Sequence, residues 1–137
     1  MQASIFVTDD EAAVRNALVK RLSRHEHRVR AFESGAELLA AVEQDVPDLI
    51  LLDLKMPGMT GIEVLEALRA KTKDTLVILL TAYGTVEEAV EAMKMGAYDF
   101  VIKTVDLQLV DAVVNRALEY LELRRQVAKT AKNEAVH

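Results

Sequence analysis

An α/β fold with a doubly wound, five-stranded parallel sheet is predicted by two features of this 137-residue sequence. Short apolar runs alternate five times with stretches of helical periodicity. Two of the runs, LILL and LVILL, are apolar without interruption, as expected for parallel strands that helices cover on both faces. The length suits one domain. A composition of 51% hydrophobic and 28% charged residues is typical of globular proteins.

Each predicted strand is a short run bounded by polar or turn residues. The second run, RVRAF, alternates basic and apolar residues, which indicates a strand at the edge of the sheet. The predicted strands are Ser4–Thr8, Arg28–Phe32, Leu49–Leu54, Leu76–Thr81 and Asp99–Lys103.

The intervening segments carry apolar stripes at helical spacing. Three of them begin with a hydroxyl residue followed three positions later by glutamate, the capping-box pattern. These pairs are Ser34 with Glu37, Thr60 with Glu63 and Thr85 with Glu88. The stripes are Val14, Leu18 and Leu22, then Ile62, Leu65 and Leu68, then Val86, Val90 and Met93.

The last predicted helix begins near Asp106, and its charge changes along the chain. Residues 1–121 carry 13 basic and 20 acidic side chains, whereas residues 122–137 carry 4 and 2. This change predicts a compact acidic domain over 1–121 and a polar helical tail or linker stub over 122–137.

Composition also excludes several classes of protein. The absence of cysteine excludes disulfide frameworks, thiolate metal sites and cysteine nucleophiles. A net charge of −5 argues against direct binding to nucleic acid or to an anionic membrane. No apolar run approaches the roughly 18–20 residues of a membrane span, and MQASIFVTDD lacks the basic start of a signal peptide. We therefore expect a cytoplasmic protein without a membrane partner.

Polar residues lie at or directly after the ends of four of the five predicted strands: Asp9 and Asp10 after the first, and Asp53, Thr81 and Lys103 at the ends of the third, fourth and fifth. Ligands of open α/β sheets bind beyond the carboxyl ends of the strands. Three carboxylates there repel one another and favour a cation, and all-oxygen ligands favour Mg²⁺. Lysine and threonine suit phosphate oxygens, and an aspartate can accept a phosphoryl group as a nucleophile.

These motifs, in this order, resemble the receiver domain of two-component response regulators. The resemblance covers residue 4 to about residue 121, and it rests on TDD at 8–10, LLDLKMPGMTG at 51–61, TAYG at 81–84 and GAYDFVIK at 96–103. It implies a flavodoxin-like sheet of strand order 2-1-3-4-5. It also implies phosphorelay signal transduction in which Asp53 is the phosphoacceptor, a sensor histidine kinase is the donor and Mg²⁺ is the cofactor.

Further roles follow from the resemblance alone. Asp10, Asp53 and the backbone carbonyl of Lys55 would bind the metal directly, and Asp9 would act mainly through a metal-bound water. Thr81 and Lys103 would contact the phosphoryl group. The resemblance also implies that the small Ala82 leaves room for the phosphoryl group and that Phe100 switches together with Thr81. It further implies that Lys55 and Tyr83 tune the lifetime of the phosphorylated state.

The sequence departs from the family at Thr104, where proline usually follows the lysine. Because a non-proline cis peptide bond costs roughly 2.5–4 kcal/mol, we expect a trans Lys103–Thr104 bond and a shifted loop. His25 and His27 lie in a charged stretch without partners at ligand spacing, so we expect them to be solvated.

Two other readings remain open. A haloacid-dehalogenase-like phosphatase also forms an aspartyl phosphate, but it typically has a second aspartate where this chain has Lys55. A non-phosphorylated pseudo-receiver would use the fold only for binding. A flavin-binding flavodoxin is excluded, because TDDEAAV lacks a hydroxyl-rich phosphate loop and the chain has no tryptophan. We expect a signalling domain and not an enzyme.

The segment TAYGTVEEAVEAMKMGAYDF is most similar to receivers of transcription regulators that carry an ATPase and a DNA-binding domain. An output domain beyond this chain is therefore one possibility, and a stand-alone receiver is the other. The family places its signalling surface on the last two helices and the last strand, roughly 85–121. A homodimer through these helices is possible, with an expected seam at Leu107, Val110, Val114 and Leu121.

Overall fold

A computed structural model describes residues 2–82, 85–103 and 107–135, with side chains as far as residue 131. The expectations for Tyr83, Thr104 and Asp106 therefore lie outside the described residues. Strands and helices alternate strictly along the chain. They are β1 (Ser4–Thr8), α1 (Ala12–Ser23), β2 (Arg28–Phe32), α2 (Gly35–Gln44), β3 (Leu49–Asp53), α3 (Gly61–Lys71), β4 (Leu76–Thr81), α4 (Val86–Lys94), β5 (Asp99–Ile102) and α5 (Gln108–Ala135).

The sheet has the order β2-β1-β3-β4-β5, and every neighbouring pair is parallel. This confirms the predicted fold class, strand order and edge position of β2. β3 and β5 each end one residue earlier than predicted, at Asp53 and Ile102.

Two core layers cover the sheet, because alternate strand residues point to opposite faces. Ile5 and Val7 of β1 pack in the layer with α1 and α5, whereas Phe6 packs in the layer with α2, α3 and part of α4. β3 and β4 are buried along their whole length, which explains their uninterrupted apolar sequence.

The helix starts follow the predicted caps in part. Of the three predicted pairs, as far as the structure describes them, Thr60 with Glu63 is the one complete capping box: the Thr60 hydroxyl accepts from the Glu63 amide, and the Glu63 carboxylate accepts from the Thr60 amide. Ser34 and Thr85 each accept from the amide three residues on. The second half of the box is missing at Ser34, since Glu37 accepts from the Glu33 amide instead.

The apolar stripe of α4 does not pack as a core face. Val86, Val90 and Met93 are 77%, 47% and 48% exposed, and Ala92 is the buried residue of this helix. Helical spacing shows which residues share a face but not which way that face points. Of the three predicted stripes, the one in α4 is the one that faces away from the core.

α5 corrects the expected dimer seam. Val110, Val114 and Leu121 are at most 2% exposed and belong, with the partly buried Leu107, to the core against the sheet. Side chains that fill the domain's own core cannot also contact a second copy. Among the described side chains of α5, the large apolar ones that are exposed are Leu109, Tyr120, Leu123 and Val127.

α5 continues without a break through residue 121, the predicted end of the domain. Leu121 is its last buried side chain among those described. In the described part of the chain, no helix is both long and apolar enough to cross a bilayer.

Candidate functional site

The predicted site residues meet at the carboxyl edge of the sheet because β1, β3, β4 and β5 all end there. β3 ends in Asp53 and β4 in Thr81, while Asp9 and Asp10 follow β1 directly. Lys103 follows β5, and its amide donates to the Thr81 carbonyl at 2.6 Å. Parallel pairing therefore gathers residues that are up to 94 positions apart in sequence.

Three carboxylates form the centre of this edge. Asp9, Asp10 and Asp53 each offer an oxygen within 4.8 Å of the others. Asp9 and Asp53 are 0% and 3% exposed, and Asp10 is exposed. Burial, and then the charge of Asp9, raise the pKa of Asp53 to about 7 from an ordinary 3.8, although Lys103 and the Lys55 amide oppose the rise. Three carboxylates this close, of which Asp53 resists ionisation, fit a hard divalent cation such as Mg²⁺.

Lys103 provides the positive charge within this cluster. Its ammonium nitrogen lies 2.8 Å from Asp9 Oδ2, 3.6 Å from Asp53 Oδ2 and 3.9 Å from Glu11 Oε1. Burial lowers the pKa of Lys103, but the hydrogen bond to Asp9 and the charges of Asp53, Asp9 and Glu11 outweigh it and raise the pKa overall. The lysine is therefore held charged beside the Asp53 carboxylate.

The remaining predicted residues surround the carboxylates. Thr81 is 1% exposed, whereas Ala82 is exposed. The Lys55 amide donates to Asp53 Oδ1 at 3.2 Å, so the turn after β3 holds the Asp53 side chain, while the Lys55 side chain is exposed. Phe100 is half-buried against the core layer of α2 and α3. The roles expected of these residues stay predictions.

Two contributors were missed by sequence reasoning. Glu11 donates its amide to Asp9 Oδ1 at 2.9 Å and brings a fourth carboxylate near Lys103. Arg15 donates from its guanidinium to the Asp9 carbonyl at 2.8 Å. The acidic run DDE was a visible signal for Glu11, and a cation near a helix start was a weaker one for Arg15.

His27 is a further correction outside this edge. It is partly buried, and its Nδ1 accepts from the Ala3 amide at 3.1 Å, so it is not simply solvated. His25 is exposed as expected.

Comparison with known proteins covers nearly the whole domain. The family model described as the response regulator receiver domain matches residues 5–115. The regulatory protein AtoC of Escherichia coli (strain K12) is 37% identical over 123 residues, which are 90% of this chain and 27% of AtoC. The DNA-binding transcriptional regulator NtrC of the same strain is 33% identical over 122 residues, 89% of this chain and 26% of NtrC.

A solved structure shows the same fold. The crystal structure of NtrX from Brucella abortus superimposes with a TM-score of 0.88 at 32% identity, covering 94% of this chain and 29% of that chain. The chain thus spans about a quarter of the length of the curated relatives it matches. Its sequence, its strand order and its acidic edge agree: the chain belongs to the family of response regulator receiver domains of two-component systems.

Proposed function

We propose that this chain accepts a phosphoryl group on Asp53 from the phosphohistidine of a sensor kinase. The observation that carries the proposal is the setting of Asp53: a buried carboxylate at the end of β3, close to two further aspartates and with Lys103 Nζ 3.6 Å away. In the transfer, an Asp53 oxygen forms the new bond to phosphorus as the bond from phosphorus to the histidine nitrogen breaks. The electron pair of the broken bond stays on the histidine.

Mg²⁺ is the proposed cofactor, held by Asp10, Asp53 and the Lys55 carbonyl, with Asp9 acting mainly through water. When bound, it would supply positive charge that offsets the charge on the transferring oxygens. The ammonium group of Lys103 lies within 4 Å of both Asp9 and Asp53. It is therefore close enough to pair with an acyl phosphate on Asp53. Thr81 is the proposed hydroxyl donor, and the small Ala82 leaves the phosphoryl group room to enter.

The response is a change of surface on the last elements of the domain. Thr81 drawn toward the phosphoryl group leaves space for Phe100, which is half-buried and can move inward. Phe100 lies on β5, which neighbours α4 and α5. About half exposed on these three elements are Val90 and Met93 of α4, Ile102 of β5 and Leu109 of α5. These apolar side chains are the proposed contact for an output domain, a partner or a second copy of the chain.

The site also suggests how long the signal lasts. Lys55 is exposed two residues beyond the phosphoacceptor, and Tyr83 follows Thr81 at the same interval. We assign both to shielding the acyl phosphate from water, which gives a long-lived phosphorylated state. Because relatives such as NtrC are DNA-binding transcriptional regulators, the proposed output is control of transcription in the cytoplasm.

Incubation with acetyl phosphate and Mg²⁺, followed by intact mass measurement, tests the proposal. We expect a gain of one phosphoryl group that is lost in Asp53→Asn and on addition of EDTA. Asp45→Asn is the matched control, since Asp45 is exposed at the end of α2, and it should label like the wild type. No gain with Mg²⁺ present would favour a pseudo-receiver.

A phosphatase would behave differently in the same assay. Sustained release of phosphate from a phosphomonoester, over many turnovers, would favour a haloacid-dehalogenase-like enzyme. The position of Lys55, whose amide binds Asp53 while its side chain is exposed, offers no carboxylic acid for such turnover.

A further inference from the structure

Arg15 of α1 makes an unusual contact with the site. One terminal nitrogen of its guanidinium donates to the backbone carbonyl of Asp9 at 2.8 Å, and the other lies 3.9 Å from a carboxylate oxygen of Glu33. The side chain is only 17% exposed, so it is held under the loop and not spread over the surface. The contact joins α1 to the segment that carries two of the site's aspartates.

The helix itself does not explain this arginine. Arg15 is the fourth residue of α1, and a cation near a helix N-terminus opposes the helix dipole. α1 has no acidic residue in its first turn and no side-chain cap from Glu11, so within the helix itself no side chain of that turn compensates for the charge. The partners of Arg15 therefore lie outside the helix, on Asp9 and Glu33.

The contact instead fixes one peptide group. The Asp9 carbonyl and the Asp10 amide belong to the same planar peptide unit, so orienting the carbonyl sets the direction in which Asp10 leaves the strand. Asp9 is also held at two other points. Its amide donates to the Phe32 carbonyl at 3.2 Å, and its carboxylate accepts from the Glu11 amide and from Lys103. Asp10, by contrast, is exposed. The direction in which its side chain leaves the backbone depends in part on the Asp9–Asp10 peptide plane.

We propose that Arg15 is a positioning residue for the metal site: it holds the Asp9–Asp10 peptide so that the Asp10 carboxylate faces Asp53. This assignment rests on the proposed Mg²⁺ site and extends it to a residue that touches neither metal nor phosphoryl group. Partners of this kind, which orient ligands without binding the metal, commonly change metal affinity by about 10–100-fold when removed.

The sign of the effect separates positioning from simple charge. Arg15 is a cation near a cation site, so its charge alone repels Mg²⁺, and its removal would tighten binding. Loss of positioning does the opposite. A residue that served only the fold would change thermal stability without changing the Mg²⁺ affinity.

The test is calorimetric titration of Mg²⁺ into the whole chain, with melting temperatures measured separately in EDTA. Arg15→Met keeps the aliphatic stem and removes the donor. We expect its Mg²⁺ dissociation constant to rise by about tenfold or more. Arg21→Met is the matched control on the same helix, because Arg21 pairs with Asp111 at 2.6 Å. It should lower the melting temperature and leave the Mg²⁺ affinity within twofold of wild type.

An unchanged or tighter Mg²⁺ affinity in Arg15→Met would overturn the positioning role. If that variant does not fold, Arg15→Gln replaces it in the titration. Glutamine is uncharged and too short to reach the Asp9 carbonyl, so the same change in Mg²⁺ affinity is expected. Failure of the wild-type chain to bind Mg²⁺ is a different result: it would overturn the proposed metal site itself, and the role of Arg15 with it.

Discussion

The two edges of one sheet are built on opposite electrostatic plans. The carboxyl rim, made of Asp9, Asp10, Asp53 and Lys103, brings three carboxylates within 4.8 Å of one another, and the Lys103 ammonium lies beside Asp9 and Asp53. The amino rim, made of Ser4, His27, Asp48 and Arg125, pairs each of its charges or acceptors. Crowded charges of this kind are typical of functional sites, whereas the described contacts of the amino rim are those of a structural ion-pair network.

Asp48 shows how complete the pairing of the amino rim is. One carboxylate oxygen accepts from the Ser4 amide at 2.8 Å, and the other pairs with Arg125 of α5. The Asp48 amide donates to the Ser4 carbonyl, and its own carbonyl accepts from Leu76. One residue thus joins the starts of β1, β3 and β4 to the extended part of α5, where Arg124 also donates to the Asp74 carbonyl at 2.6 Å.

Removing a charge from the carboxyl rim should stabilise the metal-free protein. The pKa of Asp53 is raised to about 7, so ionisation of this carboxyl group opposes folding. The contribution of Asp53 to stability is complete below the unfolded pKa near 3.8, and it is lost as the pH rises through 7. In EDTA, the free energy of unfolding of Asp53→Asn should therefore exceed that of the wild type by about 2–4 kcal/mol at pH 8. At pH 4 the two free energies should be nearly equal. Urea denaturation at the two pH values measures the difference, and a variant less stable at pH 8 would contradict it.

Removing a charge from the amino rim should do the reverse. Asp48→Ala leaves the Ser4 amide without its acceptor and Arg125 without its partner, which should cost about 1–2 kcal/mol. The same denaturation series measures it. Mg²⁺ affinity should stay at the wild-type value, because Asp48 lies at the far end of the strands from the carboxyl rim. A loss of Mg²⁺ affinity would show that the two edges are coupled.

The two rims should also respond to acid in opposite directions. His27 accepts from the Ala3 amide, and partial burial, His25 and the N-terminal amine lower its pKa below the ordinary 6.5. Its contribution to stability is therefore present above 6.5 and lost as pH falls, the reverse of Asp53. An NMR titration of the His27 ring should give a midpoint below 6.5, and His27→Gln should flatten the slope of stability between pH 7 and 5. A midpoint at or above 6.5 would refute this.

The carboxyl rim was predictable because its chemistry is attached to strand ends. Asp9, Asp10, Asp53, Thr81 and Lys103 each follow an apolar run, and parallel strands must deliver such residues to one edge. Glu11 and Arg15 were missed because their importance depends on contacts with Asp9 and not on strand position. The pairing of Asp48 with Ser4 and Arg125 was likewise invisible, since it joins residues 44 and 77 positions apart.

By itself, the sequence determined the five strands, their parallel burial and the residues at their ends, since alternation, apolar runs and turn residues are local signals. Only the tertiary structure decided which helix faces meet the sheet. It turned Val90 and Met93 of α4 outward and Val110 and Val114 of α5 inward, although each pair has the spacing of one helical face. The reason is physical: periodicity fixes the relative angles of side chains around a helix axis, while rotation about that axis is set by packing against strands distant in sequence.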